Sequence, residues 1–243
     1  MKKVLLALVG VAAAASAANA QYSIVNNLPG SFVDISAFGT FIDSTDDSEH
    51  AIITTIGNQA FPAGNVLLGN NGAAVAGLAA GQIGFTNATI GVTGVPAGMP
   101  AGGTGYMLPL WDDHIPTTAA TSGIYYMEIG PVLIVQWNQE DHFGAPGTGT
   151  ATFQLQVFSV GDVLAQYVYA DTFYSDGAAV NNGGSATIGY VANPGNAAQN
   201  NVLHSFNTQS IADGSVLSLI VPAPASAALL GLGGLVAIRR RRA

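Results

Sequence analysis

Short segments with β-strand character, separated by turn residues, recur along the body of this chain. The body is rich in Gly, Ala, Asn, Thr and Val and poor in the helix formers Glu, Lys and Arg. No long segment between the two ends has the 3.6-residue period of an amphipathic helix. The predicted strands are residues 31–42, 51–56, 82–92, 123–138, 150–160, 163–169, 185–191, 202–206 and 216–221. This spacing, with Gly- and Asn-rich turns, predicts an all-β fold, an antiparallel β-sandwich of jelly-roll-like type.

Two hairpins are predicted most clearly. In the first, residues 124–129 reach Gly130-Pro131 and return as residues 132–137. In the second, residues 152–158 turn at Gly161-Asp162 into residues 163–169. Apolar and polar residues alternate in the first strand of the second hairpin. Phe153, Leu155 and Val157 are therefore expected on one face, and Gln154 and Gln156 on the other.

The charges are segregated along the chain. All 6 Lys and Arg residues lie in the two end segments, and all 14 Asp and Glu residues lie between them. Residues 21–222 therefore contain no cationic side chain apart from histidine. This composition argues against nucleic acid as a partner, because phosphate binding requires cationic side chains. It also excludes lysine-based and arginine-clamp catalysis, and it favours divalent cations as ligands.

The length and the absence of cysteine indicate one domain without disulfides. The chain has 243 residues and no Cys. About 200 residues bury enough apolar surface to fold without disulfide bonds. We therefore predict a single extracellular β-sandwich domain over residues 21–220.

The N-terminus has the three parts of a secretory signal peptide. Lys2 and Lys3 precede an apolar stretch over residues 4–15, and Ala18-Asn19-Ala20 forms an A-x-A cleavage site. Such segments are removed on export. The sequence therefore predicts a signal peptide helix over residues 1–20 and a mature chain that begins at Gln21.

The C-terminus, residues 221–243, combines a proline motif, a short apolar segment and an arginine block. The apolar residues 225–238 fall short of the roughly 20 residues that a spanning helix needs. The arginines are expected to stay on the cytoplasmic side. The motif residues are Val221, Pro222, Ala223, Pro224, Arg239, Arg240, Arg241 and Arg242.

This tail resembles the PEP-CTERM signal of bacterial exosortase substrates, with Ala223 where that family carries a Glu. The resemblance implies export through the secretion machinery, transient anchoring in the inner membrane by a C-terminal hydrophobic sorting helix, and processing by an exosortase-type enzyme. A Gram-negative-type envelope is the expected setting. The alternatives are a membrane anchor of marginal length and a basic amphipathic end.

The body also resembles a nidogen-like extracellular β module over roughly residues 31–191. The resemblance is carried by residues 31–40, the Asp46–Glu49 segment, residues 108–113 and the later hairpins. It implies an exported β-sandwich with an adhesive or structural role and no established catalysis.

An acidic segment after the first predicted strand is the best calcium candidate. Residues 43–50 cluster carboxylates with hydroxyl groups in an expected loop, and calcium takes six to eight oxygen ligands. The segment lacks the order and the glycine of an EF-hand. A solvated acidic turn is the alternative. The candidate ligands are Asp43, Asp46, Asp47 and Glu49.

Two other polar clusters have structural alternatives. Asp112 and Asp113 follow Trp111, but adjacent residues of an extended segment point to opposite faces, so they are not expected to converge. Glu140, Asp141 and His142 could form a zinc site with His114 or His50, but no established spacing supports it. Both clusters are predicted to be strand-end or loop residues.

The sequence therefore predicts an exported protein of the cell surface or extracellular matrix with a structural or adhesive role, and not an enzyme. Calcium is the candidate cation, and extracellular polysaccharide is a candidate partner. A secreted carbohydrate-binding module is the alternative function, and a hydrolase is a more distant one. The tyrosines that could stack on sugar rings are Tyr125, Tyr126, Tyr167, Tyr169 and Tyr174; filling the core is their alternative role.

Overall fold

The computed structural model describes residues 21–26, 28–144, 149–175, 179–196 and 199–221. Over these residues the chain is all-β, with two antiparallel sheets and a single 3-10 turn at Asn181–Gly183. The strands of sheet A are β1 (Ser23–Asn26), β2 (Thr40–Asp43), β7 (His114–Pro116), β8 (Gly123–Ile129), β9 (Val132–His142), β10 (Ala151–Phe158), β11 (Val163–Asp171) and β14 (Val216–Ile220). The strands of sheet B are β3 (Glu49–Thr54), β4 (Gly64–Gly69), β5 (Ala73–Ala76), β6 (Gly105–Trp111), β12 (Thr187–Ala192) and β13 (Val202–Phe206).

Sequence neighbours are mostly neighbours in space. Sheet A has the order β1-β14-β11-β10-β9-β8-β2, with β7 beside β9, and sheet B has the order β13-β12-β6-β5-β4-β3. Each sheet thus contains a meander, and the first of the described strands pairs with the last.

Both predicted hairpins are confirmed. Ile129 pairs with Val132 across the first turn, and β10 pairs with β11 throughout the second hairpin. The side chains of Phe153, Leu155 and Val157 are buried between the sheets, so the polar alternation of β10 faces outward. The period-2 pattern and the tight turns therefore set the register of both hairpins correctly.

Two predicted strands are wrong over most of their length. Of residues 31–42 only the last three belong to β2, and residues 82–92 contain no strand. Both segments instead lie over the outer face of a sheet. Their apolar residues pack on that face and do not belong to paired strands. The sequence did not predict β1, β4, β5, β6 and β7. Of these, β5 consists largely of Ala and β6 contains Pro109, and both residue types are unfavourable in strands.

The main core fills the space between the sheets. Its largest side chains include Trp137 and Phe153, which stack with their ring centroids 5.1 Å apart. Tyr167 and Tyr169 lie in the same core and donate their hydroxyl protons to the carbonyls of Gly189 and Pro109 in sheet B. These bonds connect the two sheets without leaving a polar atom unsatisfied.

A long connection covers the outer face of sheet B. Residues 77–104, here called the loop cover, pack Ile83 and Ile90 against Tyr106, Leu108 and Trp111. The Trp111 indole donates a hydrogen bond to the carbonyl of Gly84 in the loop cover, at 2.8 Å. The loop cover thus forms a second apolar core on this face.

A row of glutamines lies on the outer face of sheet A. Gln136 of β9, Gln154 and Gln156 of β10, and Gln166 of β11 are all buried. The segment between β1 and β2 passes over them. The polar face predicted for β10 is therefore present, but it is covered.

Candidate functional site

Most of the acidic residues lie at one end of the sandwich. The antiparallel pairing places the connections β2–β3, β4–β5, β6–β7, β11–β12 and β13–β14 at this end, called here the acidic end. Its carboxylates are Asp43, Asp46, Asp47, Glu49, Asp112, Asp113, Glu140, Asp141, Asp171 and Asp213. Among the described residues, only Asp34, Glu128 and Asp162 lie elsewhere. Negative potential is therefore concentrated at one pole of the domain.

Three carboxylates meet at the surface of the acidic end. Asp46, Asp47 and Asp113 each place one oxygen within 4.8 Å of the others. Asn71 donates to Asp47 Oδ1 at 3.1 Å, which orients one of them. Burial raises the pKa of Asp46 and of Asp113, and the charge of Asp47 raises both further. A bound cation would relieve this repulsion.

The other two predicted calcium ligands have different partners. Asp43 Oδ2 lies 2.7 Å from His50 Nε2, and its Oδ1 accepts from Thr45 Oγ1 and the Ser44 amide. Glu49 Oε1 accepts from the amide of Ile83 in the loop cover. Asp113 takes their place beside Asp46 and Asp47. The sequence reading assigned Asp113 to a strand end because nothing local shows that the β6–β7 turn abuts the β2–β3 loop.

Asp112, His142 and Ser185 form a polar triangle beside this cluster. His142 Nε2 lies 3.1 Å from Ser185 Oγ and 3.2 Å from Asp112 Oδ2, and the Ser185 hydroxyl donates to that same Oδ2. His142 Nδ1 faces the carbonyl of Phe143 at 2.6 Å. A catalytic triad places the carboxylate on one ring nitrogen and the hydroxyl on the other. Here both meet Nε2, which is not the arrangement of a triad, and the triangle joins the β6–β7 and β11–β12 connections to the end of β9.

The charges within the triangle favour an ion pair. Burial opposes ionisation of Asp112, but its hydrogen bond with His142 and the neighbouring imidazoles outweigh that effect and lower its pKa. Burial likewise opposes protonation of His142, yet the hydrogen bond and charge of Asp112 raise the pKa of its ring. The pair therefore holds the β6–β7 turn on β9 most strongly in mildly acidic solution.

A buried carboxyl group lies nearby without a hydrogen-bond partner. Gln139 has a left-handed φ of 55°, and the register of β9 with β10 shifts at this point. The shift turns Glu140 inward, where neither of its oxygens has a partner. Burial, reinforced by Asp43 and Asp46, raises the pKa of Glu140 to about 8. The side chain is therefore neutral at pH 7 and adds no negative charge to the cluster.

The zinc hypothesis finds little support in the arrangement of the histidines. His114 is fully buried and donates from Nε2 to the carbonyl of Leu110 at 2.8 Å, while its Nδ1 lies 3.2 Å from the Tyr174 hydroxyl. Burial lowers the pKa of His114 and so opposes protonation of its ring. Pairing of β7 with β9 brings His114 opposite His142, but each ring has its own partners. Among the described residues, only the Asp46, Asp47 and Asp113 group has metal-ligand spacing.

The tyrosines proposed as a sugar platform mostly fill cores. Tyr167, Tyr169 and Tyr174 are buried between the sheets, and Tyr125 is buried under the segment between β1 and β2. Tyr126 is half-buried. These five rings therefore do not form an exposed stacking surface.

The predicted signal peptide and most of the sorting tail, from Pro222 onward, lie outside the described residues. In the part that the structure describes, no helix has both the length and the apolar character needed to cross a bilayer. Comparison with protein families, curated proteins and solved structures finds no match to this chain.

Proposed function

We propose that this chain is an exported protein of the cell surface or extracellular matrix with a structural or adhesive role, and that its acidic end binds calcium. The domain would be a nidogen-like module. A signal peptide helix cleaved after Ala20 would direct its export. A C-terminal sorting helix would hold the precursor in the inner membrane until an exosortase-type enzyme acts at the Val221–Pro224 motif.

The observation that carries the calcium proposal is the meeting of Asp46, Asp47 and Asp113. They bring three oxygen ligands together from the β2–β3 loop and the β6–β7 turn. No lysine or arginine lies in residues 21–222 to neutralise them. A hard divalent cation with oxygen ligands suits such a group, and water would complete its coordination shell. Cation binding here would fasten two connections together at the exposed pole of the domain.

Absence of a catalytic arrangement in the described residues supports a structural role. The Asp112, His142 and Ser185 triangle has the wrong geometry for a nucleophile, and Glu140 is sealed from solvent. The remaining carboxylates of the acidic end bond to neighbouring loops or face water. This arrangement can bind cations and hold loops, and we assign no reaction to it.

Thermal unfolding with calcium and then with excess chelator tests the calcium proposal. At ten times its Kd a ligand of the folded state contributes about 1.4 kcal/mol, or roughly 3–6 °C for a domain of this size. We expect the Asp46→Asn, Asp47→Asn double variant to lose this rise in Tm. Asp162→Asn, which removes a carboxylate at the opposite end, is the matched control and should keep the rise. A rise of equal size in the double variant, or none in the native protein, would remove calcium from the proposal.

Intact mass measurement of the protein recovered from the cell surface tests the export proposal. We expect an N-terminus at Gln21 and a C-terminus near the Val221–Pro224 motif. A surface species that retains Met1 or Arg239–Arg242 would contradict the processing that we propose.

A further inference from the structure

The first described segment of the chain forms an arm on sheet A. The arm comprises residues 22–26 and 28–35. Its β1 pairs with β14 at the edge of the sheet, and the residues after it cross the outer face towards β2 at the opposite edge. The arm therefore contacts strands that are distant from it in sequence.

Glutamine side chains hold the crossing part of the arm by its main chain. Every second residue of this part forms a backbone hydrogen bond with one glutamine side chain. Gln166, Gln156 and Gln154 donate from Nε2 to the carbonyls of Pro29, Ser31 and Val33, at 2.9, 2.9 and 2.6 Å. The backbone amide of Ile35 donates to Gln136 Oε1 at 2.9 Å. Alternate residues of an extended chain face the same way, so one row of amides can bind every second residue. These hydrogen bonds involve the backbone of the arm and not its side chains.

The glutamine row is also organised without the arm. Gln156 Nε2 donates to Gln154 Oε1 at 2.9 Å, and Gln154 Nε2 donates to Gln136 Oε1 at 2.8 Å. Gln136 and Gln166 have further partners in Asn138 and Ser218 of the same sheet. If the arm leaves, every amide keeps a neighbour within the face and gains water. Exposing a polar face of this kind to water costs little free energy, unlike exposing an apolar face.

The crossing part of the arm buries little apolar surface. Between residues 28 and 35, only the Ile35 side chain is buried. The main apolar anchor is at the other end of the arm, where Tyr22 packs edge-on against Tyr190 at 5.0 Å. Segments held by few apolar contacts and by solvent-near hydrogen bonds open at lower free energy than the whole domain.

A short turn at the end of the arm can act as the hinge. The amides of Phe38 and Gly39 both donate to the carbonyl of Ile35. This turn over residues 36–39 separates the arm from β2, which belongs to the opposite edge of the sheet. Opening of the turn would free the arm without unpairing β2 from β8.

We propose that the arm exchanges between copies of this chain, so that the arm of one molecule lies on the glutamine row and β14 of the next. The contacts within and between molecules are the same, so concentration and hinge strain decide between them. Because each copy gives an arm to one neighbour and accepts an arm from another, the contact is heterologous and can extend into a filament. This assembly goes beyond the proposed calcium binding and needs no cation.

Engineered cysteines can detect the exchange because the chain has no Cys of its own. A Cβ at Gly30 would lie 2.9 Å from Val216 Cγ1 and would otherwise meet the flexible end of Gln166. One preparation carries Gly30→Cys and the other Val216→Cys. They are mixed with chelator present, in urea below the unfolding midpoint, and then oxidised. We expect at least tenfold more disulfide-linked heterodimer than in the matched mixture of Gly30→Cys with Val160→Cys. Val160 is 66% exposed on the β10–β11 turn, away from the arm, and reports random collision.

The double variant Gly30→Cys, Val216→Cys separates the possible outcomes. Oxidised before mixing, it should form an intramolecular disulfide and then give no mixed species. If it locks but the single variants never exceed the Val160 control at any urea concentration, the arm does not exchange. If it fails to lock, the arm does not lie beside β14 and the proposal is also overturned. Since chelator is present throughout, neither result depends on calcium binding.

Discussion

The two outer faces of the sandwich are covered by irregular segments of opposite chemistry. On sheet B, the loop cover buries Ile83 and Ile90 on an aromatic and aliphatic surface that includes Trp111. On sheet A, the crossing part of the arm, residues 28–35, has its main chain bound by glutamine amides and buries only the Ile35 side chain. Residues 28–35 of the arm and residues 77–104 of the loop cover form no strand, and both contact the sheet beneath them largely through side chains. An apolar cover is part of the folding core, whereas an amide-held cover can detach and leave a hydrated face behind.

Removing the indole under the loop cover should have the largest effect. Trp111→Ala deletes a fully buried side chain and its hydrogen bond to Gly84. We expect a loss of about 3–5 kcal/mol in the free energy of unfolding, as for other buried Trp and Phe truncations. Urea denaturation measures the loss. A change below about 1 kcal/mol would mean that the loop cover is not part of the cooperative core.

Truncating Ile35, the buried side chain of the crossing part of the arm, should have a smaller effect. Ile35→Ala removes a buried side chain that packs on Tyr125 and Ile134. We expect a loss of about 1–2 kcal/mol, below the usual range for a buried Ile, because the arm can move to close the gap. Val33→Ala, on the same arm but 37% exposed, is the control and should be nearly neutral. If Ile35→Ala lowered the free energy of unfolding as much as Trp111→Ala, the two covers would contribute equally to stability, which would contradict the comparison.

Deleting one amide of the glutamine row should release the arm locally. Gln154→Ala removes both bonds to Val33 and the links to Gln136 and Gln156. We expect about 1 kcal/mol of global destabilisation. Hydrogen exchange at the Val33 and Ile35 amides should quicken much more than exchange in β6. Gln82→Ala, an exposed glutamine of the loop cover, is the matched control. Uniform quickening across both sheets would show that the arm opens only with the whole domain.

The two covers should respond to acid in opposite directions, with the smallest effect of the four. Hydrogen bonds from Gln136 and Ser36 lower the pKa of Asp34 in the arm, so its contribution is present above 3.8 and is lost as the pH falls through its folded-state pKa. Burial raises the pKa of Glu49, which holds Ile83 of the loop cover. Its stability contribution is fully present below 4.5 and is lost as the pH rises through its folded-state pKa.

Hydrogen exchange between pH 5 and pH 3, corrected for the intrinsic rates, should therefore show weaker protection in the arm and stronger protection in the loop cover outside the Ile83 amide, whose own hydrogen bond favours the ionised Glu49. Asp34→Asn should remove the trend in the arm, and Asp162→Asn should leave it. Parallel trends in both covers would contradict the assignment of these two carboxylates to the covers.

The sequence predicts the strands whose pairing partners are close in the chain. It does not predict the arm or the loop cover, whose contacts are distant in sequence. The β8–β9 and β10–β11 hairpins follow from alternation and a tight turn, which are local signals. Residues 31–42 are rich in β-branched and aromatic residues, but residues 31–35 are bonded to glutamines of β9 and β10 and not to a neighbouring strand. Ala-rich β5 becomes a strand because β4 and β6 flank it. Tertiary pairing overrides propensity in each of these cases.

The sequence predicts only the part of the candidate site that is local in the chain. Asp46 and Asp47 are adjacent in an acidic loop, so the sequence identifies them directly. Asp113 lies beside them only because of where the fold places the β6–β7 turn. Asp43 pairs instead with His50, and Glu49 accepts a hydrogen bond from the amide of Ile83. The expectation that Asp112 and Asp113 do not converge is confirmed, since Asp112 bonds to His142 and Ser185.

Pairing of β1 with β14 also determines when the domain can be completed. The ribosome makes β1 first and β14 last, so the first strand waits for its partner until almost the whole chain has been synthesised. The two meanders can form earlier from local contacts, but this edge joins the two described strands that are farthest apart in sequence, and such contacts form slowly. A chain that stops short of residue 216 would leave β11 as an unprotected edge, open to pairing with another molecule.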